Sequence, residues 1–472
     1  MATADQTISA PSGLVKGLGL LDATTLVVGS MIGSGIFIVS ADIARQTGSP
    51  ALLIMAWVVT AFMTMAAALS YGELAAAMPH AGGQYVYLRE AFGPLSGFLF
   101  GWTMFLVIQT GTIAAVAVAF AKFAGVFFPS ISASHYLIGS GRVGVTTQQL
   151  LAICAVLVLT WLNTRGLREG AIVQNIFTFA KTAALAALIL IGFFAGHNSQ
   201  AISANFTDFW RNSSFDFTTI KLVGVAMVGS LFSSDAWNNV TFTAGEIRNP
   251  RRNLPISLAL GVGIVSLLYI ACNFVYLSVL PLAQIQTAPQ DRVATAVAGA
   301  VLGPTAVYLI AGAIMISTFG CINGLILSGA RVYYTMARDG LFFKRAATLD
   351  PTRHTPVFAL VIQGLWTILL TLSGEYGDLL DYVIFAVLLF YILTTSGIFV
   401  LRRTRPNMER PYKAFGYPVL PALYILSASV IDILLLFYKP RYAIPGLIIV
   451  LLGVPVYYLW RKKDNIPMVD AL

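Results

Sequence analysis

The stretch Gly29-Ser-Met-Ile-Gly-Ser-Gly-Ile-Phe37 lies in the middle of the first long apolar segment of the chain. Glycine inside a helix costs about 1 kcal/mol relative to alanine and leaves the backbone uncovered, so this segment is predicted to break at Gly33-Ser34-Gly35. In a bilayer, backbone groups released by a break are tolerated only where protein or a polar cavity satisfies them. The stretch therefore predicts a ligand site, although the spacing of Gly29 and Gly33 also suits close packing of two helices.

The two halves of such a broken helix offer opposite partial charges. The amino end of the second half suits an anion, and the carbonyl oxygens of the first half suit a cation. A zwitterion fits both, so the ligand is predicted to carry both charges.

The composition excludes an ordinary soluble domain. Of the 472 residues 57% are hydrophobic and only 10% are charged, and the mean hydropathy is +0.80. A soluble chain carries roughly 25% charged residues. The chain is therefore predicted to be a polytopic membrane protein, with the lipid bilayer as its environment. Its net charge of +9 reflects membrane topology and predicts no nucleic acid partner.

A template of about 20 apolar residues per span finds about twelve spans. They lie near residues 20–45, 51–78, 95–128, 147–163, 172–195, 220–245, 255–280, 304–335, 356–373, 379–401, 417–438 and 443–460. With the amino end inside, twenty of the 29 lysines and arginines fall on the inner side. The positive-inside rule then places both termini in the cytoplasm and predicts a multi-pass protein of the cell membrane.

A second interrupted span is predicted at the sixth position. Polar residues crowd the centre of Val228-Gly-Ser-Leu-Phe-Ser-Ser-Asp-Ala-Trp-Asn-Asn239, where a spanning helix is normally apolar. Interruptions at positions one and six of two five-span halves indicate an inverted-repeat transporter with its site at the midplane.

Six strings along the chain carry a family resemblance. They are the first stretch, Tyr71-Gly-Glu-Leu74 with Pro79 to Gly93, Ala244-Gly-Glu-Ile-Arg-Asn-Pro-Arg-Arg-Asn-Leu-Pro255, Asn175-Ile-Phe-Thr-Phe-Ala-Lys181, Phe319-Gly-Cys-Ile-Asn-Gly324 and Glu409-Arg-Pro-Tyr-Lys413. Together they resemble the amino acid-polyamine-organocation transporters, and the last three resemble the L-type amino acid transporter branch. The resemblance runs from about Lys16 to Trp460.

The resemblance implies an all-α polytopic membrane protein with the fold of the bacterial leucine transporter. Twelve transmembrane helices would form two inverted five-helix repeats, with helices 1 and 6 discontinuous and two peripheral helices added. The implied parts are a cytoplasmic tail (1–15), the first repeat (16–200), the second repeat (215–402), two further spans (403–462) and a second cytoplasmic tail (463–472).

The resemblance also implies where the substrate binds. The carboxylate would bind the amides of Gly33, Ser34 and Gly35. The amino group would bind carbonyls near Met31, Ile32 and Phe232. Phe232 and Trp237 would form a gate over the substrate, although Phe232 also suits a core position.

Asp235 and Ser233 are further candidates for substrate binding. A carboxylate near the middle of a membrane is costly and needs a partner. Asp235 would meet the substrate amino group or a basic side chain, or else cap exposed backbone at the break. Ser233 and Ser234 stand where relatives commonly have Ala-Tyr, which predicts a smaller or more polar pocket.

Lys181 is the candidate coupling residue. Basic residues at this depth of a span are functional by default, and the resemblance places Lys181 where sodium binds in sodium-driven relatives, close to Ser317 and Thr318. Lys181 is predicted to replace sodium and to exchange a proton. The alternative is a structural salt bridge, with Asp235 as one possible partner. Glu73, Glu246 and other charged residues at the inner helix ends are predicted to form structural ion pairs.

The predicted function is sodium-independent secondary transport of L-amino acids, by exchange or proton symport. A cationic amino acid or polyamine antiporter on the same scaffold is the main alternative, and a sensor or channel would bind or conduct without stoichiometric flux. The sequence contains no enzyme or cofactor motif and no metal-ligand spacing. Residues 127–146 contain no cysteine, whereas animal L-type transporters use a cysteine there to join a glycoprotein, so no disulfide-linked subunit is expected.

Overall fold

The structure is a computed structural model that describes residues 14–140, 144–214, 216–373 and 376–463. The predicted tails, residues 1–15 and 463–472, lie outside this part of the chain except for their innermost residues. The division into two repeats remains a prediction.

Within the described ranges the chain forms nineteen α-helices and one small sheet. The helices of the first half are α1 (Leu20–Met31), α2 (Gly35–Thr47), α3 (Pro50–Ala77), α4 (Gln84–Phe92), α5 (Pro94–Thr103), α6 (Gln109–Ala124), α7 (Thr147–Thr164), α8 (Leu167–Ala195) and α9 (Ser199–Phe206). Those of the second half are α10 (Phe217–Ser233), α11 (Asn239–Phe242), α12 (Pro250–Val279), α13 (Leu282–Gln286), α14 (Val293–Leu302), α15 (Pro304–Arg338), α16 (Val357–Ser373), α17 (Tyr376–Thr404), α18 (Val419–Tyr438) and α19 (Pro440–Lys463).

Shorter elements connect these helices. A π-helical segment, Met104–Ile108, joins α5 to α6, and 3₁₀ turns occupy Ala244–Glu246, Pro289–Asp291 and Lys344–Ala347. The strands β1 (Tyr136–Ile138) and β2 (Val145–Thr146) pair antiparallel in the loop before α7.

The all-α polytopic fold class is confirmed. In the described part of the chain, ten helical segments are long and apolar enough to cross a membrane. The predicted sixth and ninth spans contain the 17-residue apolar helices α10 and α16. The discontinuities at positions one and six are also confirmed, because α1 ends at Met31 before α2 begins at Gly35, and α10 ends at Ser233 before α11 begins at Asn239.

Helix α1 lies at the centre of the bundle and packs against α8, α12 and α15. Its glycines permit this close approach: a Cβ on Gly29 would lie 2.1 Å from Gln174 Nε2 and 2.2 Å from Thr178 Oγ1 of α8. The first stretch therefore both packs closely against α8 and contains the helix break.

Candidate functional site

The first break is fully buried. Residues 31–35 are all shielded from solvent, and the Gly33 N–H donates to Met31 O at 2.8 Å. Helix α2 begins at Gly35, and the first amides of a helix have no acceptor within it. Its first turn therefore presents N–H groups and partial positive charge at the break.

The second break touches the first. A Cβ on Gly35 would lie 1.9 Å from Ser233 Oγ and 2.9 Å from Ser233 Cα, so only glycine permits this contact. The Ser233 hydroxyl donates to Gly229 O at 2.7 Å within α10. Phe232 is buried, and its carbonyl accepts the Asp235 N–H at 3.2 Å. The two helix interruptions thus form one continuous site.

Trp237 lies in an aromatic cluster beside this site. Its ring centroid is 4.8 Å from that of Tyr71 and 5.2 Å from that of Tyr391. Edge and tilted contacts of this kind hold large rings in fixed orientations. Trp237 therefore lies beside the second break, between α3 and α17.

Tyr269 of α12 joins the two breaks and was not predicted from the sequence. Its hydroxyl lies 3.0 Å from Met31 O and 3.1 Å from Ser233 O, which belong to α1 and α10 respectively. A buried tyrosine hydroxyl usually finds such a partner. A tyrosine within an apolar span is the sequence signal that could have indicated a polar contact here. Its partners are too distant in sequence to be identified from that signal.

Lys181 of α8 lies under the first break. It is 1% exposed, and its Nζ donates to Gly29 O at 2.5 Å, Ile32 O at 2.7 Å and Ser317 O at 3.3 Å. The Ser317 hydroxyl is also 3.2 Å from Ile32 O. The ammonium group therefore bonds carbonyl oxygens of α1 and α15 at the end of α1.

Thr318 lies next to this group but makes different contacts. Its hydroxyl bonds Ile314 O and Met315 O of its own helix, at 2.9 and 3.0 Å. Cys321, which was not singled out from the sequence, lies one turn further along α15, and its Sγ is 3.0 Å from Ser30 O. It lies against Gly33, where a Cβ would be 3.1 Å from the sulfur.

Asp235 is buried and bonds Tyr391 of α17, whose hydroxyl donates to Oδ1 at 2.6 Å. Among the ion pairs of the described residues none joins Lys181 to Asp235, so the suggested salt bridge between them is not formed here. The two charged groups lie at separate places, Lys181 beside the first break and Asp235 within the second.

Two small cavities flank Asp235, each of about 20 Å³. This is room for about one water molecule. The first cavity is bounded by Met104, Thr112, Asn239, Leu325 and Tyr391 among others, and the second by Thr64, Ser234, Trp237 and Tyr424 among others. A whole amino acid therefore requires movement of the surrounding helices before it can enter.

Ion pairs are present at Glu73, Arg89, Glu90 and Glu246, four of the charged residues predicted to form them at the inner helix ends. Glu246 pairs with Arg331, Glu73 with Arg402 and Arg410, and Arg89 with Asp339 and Glu90. The backbone adds a further closure, because Leu18 pairs with Ile247 in an isolated parallel bridge. These contacts connect the segment before α1 and the segment after α11 with α3, α4, α15 and α17 below the site.

The site holds no recognisable metal centre: within the residues that the structure describes, no three His, Cys, Asp or Glu side chains are grouped to hold an ion. The polar groups around the breaks are backbone amides, which donate hydrogen bonds, backbone carbonyls, which accept them, and hydroxyls, which do both. Such groups suit a small zwitterion.

Comparisons with known proteins agree with this geometry. The family model described as amino acid permease matches residues 18–458. The chain is 30% identical to b(0,+)-type amino acid transporter 1 of Mus musculus, over 98% of this chain and 92% of that protein. It is 32% identical to large neutral amino acids transporter small subunit 2 of Mus musculus, over 96% and 83% of the two chains, and 30% identical to Asc-type amino acid transporter 1 of Mus musculus, also over 96% and 83%. The chain therefore belongs to the amino acid permease family.

Proposed function

We propose that this chain is a sodium-independent secondary transporter of neutral L-amino acids that works by alternating access. Family membership makes it an amino acid transporter rather than an enzyme. Its relatives bear the names of large neutral, Asc-type and b(0,+)-type amino acid transporters. The proposals on sodium independence and on substrate binding rest on the two helix breaks and on Lys181.

The observation that carries sodium independence is the position of the Lys181 ammonium group. In transporters with broken helices, carbonyl oxygens of unwound segments coordinate the coupling cation. Here the carbonyls of Gly29, Ile32 and Ser317 already accept from Lys181 Nζ. A sodium ion about 4 Å from this charge would be repelled by about 4 kcal/mol at an effective dielectric constant of 20.

The first turn of α2 supports the binding of the substrate carboxylate. The amide groups of residues 33–35 lie at a helix amino end, and backbone N–H groups at such ends bind anions. The carbonyls of Met31 and Phe232, on the facing ends of α1 and α10, are the acceptors for the substrate amino group. Within the protein they accept from Gly33 N, Tyr269 Oη and Asp235 N, so binding exchanges these internal partners for the substrate.

Alternating access is supported by the closed site and the ion pairs below it. The cavities beside Asp235 are too small for an amino acid. We propose that the inner end of α1, with Leu18, separates from Ile247 to open a path to the cytoplasm. Phe232 and Trp237 then close the site on either side of the second break.

The test is uptake of radiolabelled leucine into sodium-free proteoliposomes whose lumen is empty, preloaded with unlabelled leucine, or alkaline. Uptake only after preloading establishes an exchanger in which Lys181 is a fixed positive charge. Accumulation driven by an alkaline lumen establishes proton symport, with Lys181 as the proposed proton carrier. Absence of uptake in all three sodium-free conditions, with uptake restored by sodium, would contradict the proposal.

A second candidate function is favoured by one observation, the buried carboxylate of Asp235 beside both cavities. A cationic amino acid or polyamine antiporter on this scaffold would use Asp235 to bind the second positive charge of its substrate. Competition of leucine uptake by agmatine or putrescine, lost in Asp235→Asn, would favour this candidate. Lack of competition would favour the neutral amino acid transporter over this second candidate.

We also propose that the chain acts in the cell membrane with both termini in the cytoplasm and without a disulfide-linked subunit. The excess of inner lysine and arginine supports the orientation. Labelling of single cysteines placed at either terminus of a cysteine-free variant, in intact and permeabilised cells, tests it. Migration at the size of the single chain on a non-reducing gel is expected.

A further inference from the structure

Helix α7 carries an exposed apolar stripe that ends in a tryptophan. Trp161 is 57% exposed, and Leu150, Leu157 and Val158 of the same helix are about half exposed. Positions 7, 8 and 11 residues apart lie on one side of a helix, so these four side chains form one stripe. In a spanning helix such a stripe faces acyl chains, and a tryptophan at its end marks the level of the lipid headgroups.

Two arginines lie at this end of α7. The Arg165 guanidinium lies over the Trp161 ring, with its Cζ 4.8 Å from the ring centroid. Arg353, in the loop before α16, donates from Nη1 to Thr164 O at 3.4 Å. The last carbonyl groups of a helix carry partial negative charge, which stabilises cations beside them. Both positive charges are therefore held at one helix end, next to the tryptophan.

The protein does not pair these charges with a carboxylate. Both arginines are exposed, and neither takes part in an ion pair of the described residues. Asp350 accepts from the backbone N–H groups of Thr352 and Arg353 and from the Thr352 hydroxyl, and it interacts with the Arg353 charge only through space. The end of α7 therefore attracts an anion from outside the protein.

Both guanidinium groups keep hydrogen-bond donors for such an anion. Stacking on Trp161 uses the face of the Arg165 group, and its N–H groups, which lie along the edge, donate to no acceptor among the described residues. Arg353 uses Nη1 and retains Nε and Nη2. Two N–H groups along one edge of a guanidinium match two oxygens of a phosphate. The donors are thus suited to a phosphate group at the level of the lipid headgroups.

We propose that the inner end of α7 binds an anionic phospholipid, with Arg165 and Arg353 donating to its phosphate. Its acyl chains lie along the exposed stripe of α7, which a soluble phosphate cannot use. Basic side chains beside spanning helices on the cytoplasmic side are typical of sites for anionic headgroups. The site is independent of the proposed transport function, and only the assignment to the cytoplasmic leaflet depends on the proposed orientation of the chain.

The test is titration of the purified full-length protein with dioleoylphosphatidylglycerol or dioleoylphosphatidylcholine, read out by native mass spectrometry. Both lipids have the same chains and a phosphate, but the choline group adds a positive charge that the arginines repel. We expect phosphatidylglycerol to bind about 25-fold more tightly, which is about fivefold for each arginine. The ratio should fall to about 5 in Arg165→Gln or Arg353→Gln and to near one in the double variant.

Arg403→Gln is the matched control. Arg403 is an exposed arginine at the inner end of α17, and it forms no ion pair among the residues that the structure describes. Its replacement removes the same charge from the same side of the protein, so the ratio should stay at the wild-type value.

Equal binding of the two lipids by the wild-type protein would overturn the proposal without any variant. An equal fall of the ratio in Arg403→Gln would also overturn it, because the preference would then come from the overall charge of the inner surface. Displacement of phosphatidylglycerol by an equal concentration of glycerol 3-phosphate would show a site for soluble anions instead of a lipid site. The measurement involves no amino acid, so its outcome is separate from that of the uptake experiment.

Discussion

Replacement of Arg331 by methionine tests the buried ion pair that Arg331 forms with Glu246 below the site. Arg331 and Glu246 are each 1% exposed, and the guanidinium Nε and Nη2 each lie 3.0 Å from a carboxylate oxygen of Glu246. Removal of one partner of a buried ion pair leaves an uncompensated charge and costs about 3 to 5 kcal/mol. We therefore expect Arg331→Met to lower the free energy of unfolding by about this amount.

The chain offers a matched control in Arg251, whose pair with Glu409 is 56% and 70% exposed. Exposed pairs contribute about 0 to 1 kcal/mol, so Arg251→Met should remain within that range. The assay is denaturant unfolding of the purified protein in mixed micelles. The double variant Glu246→Gln with Arg331→Met should recover a large part of the loss, because the unpaired carboxylate is then gone.

Two results would refute this reasoning. The first is an Arg331→Met protein as stable as the Arg251→Met control, which would mean that the pair is not buried in the membrane-embedded protein. The second is a double variant no more stable than Arg331→Met alone, which would show that the loss arises from packing rather than from the isolated charge of Glu246.

Three further predictions concern the site and its surroundings. Gly35→Ala should abolish transport, and Ser233→Ala should not rescue it, because the added Cβ lies 2.9 Å from the Ser233 Cα as well as 1.9 Å from its hydroxyl; uptake in proteoliposomes measures this. Tyr269→Phe should reduce the maximal uptake rate about fivefold while the protein stays folded, because the hydroxyl that contacts both breaks stabilises the state in which they are aligned by about 1 kcal/mol relative to the state in which they separate. Asp432→Leu should raise the unfolding midpoint, because Asp432 of α18 is buried with an unpartnered Oδ1, and such a group costs about 1 to 3 kcal/mol.

A control variant accompanies the first of these predictions, and one result would contradict each of them. Gly312→Ala, whose added Cβ would meet only Phe127 at 3.6 Å, should transport normally, and equal loss in both glycine variants would contradict the steric argument. Normal uptake by Tyr269→Phe would mean that its hydroxyl contacts do not matter during transport. A lower unfolding midpoint in Asp432→Leu would show that this carboxyl has a partner in the membrane.

The sequence predicts most of the fold because hydropathy and glycine placement act locally. The break at residues 32–34 follows from glycine and serine in an apolar run, and the break before Asn239 follows from polar residues in the centre of a span. The π-helical segment Met104–Ile108 was not predicted, because its residues are as apolar as those of an ordinary spanning helix.

The site was harder to predict because its contacts join residues that are far apart in sequence. Tyr269 bonds Met31 across 238 residues, and Tyr391 bonds Asp235 across 156. These pairs depend on how helices cross, which a single sequence does not encode in its periodicity.

We propose that the Lys181 ammonium group takes the place of a coupling sodium ion. The most direct test is the initial rate of amino acid exchange in proteoliposomes with equal concentrations of sodium chloride or choline chloride on both sides. We expect the same rate in both salts, and loss of exchange in Lys181→Met while the protein remains folded. A rate that rises severalfold with sodium, or a Lys181→Met protein that exchanges normally in choline chloride, would contradict it.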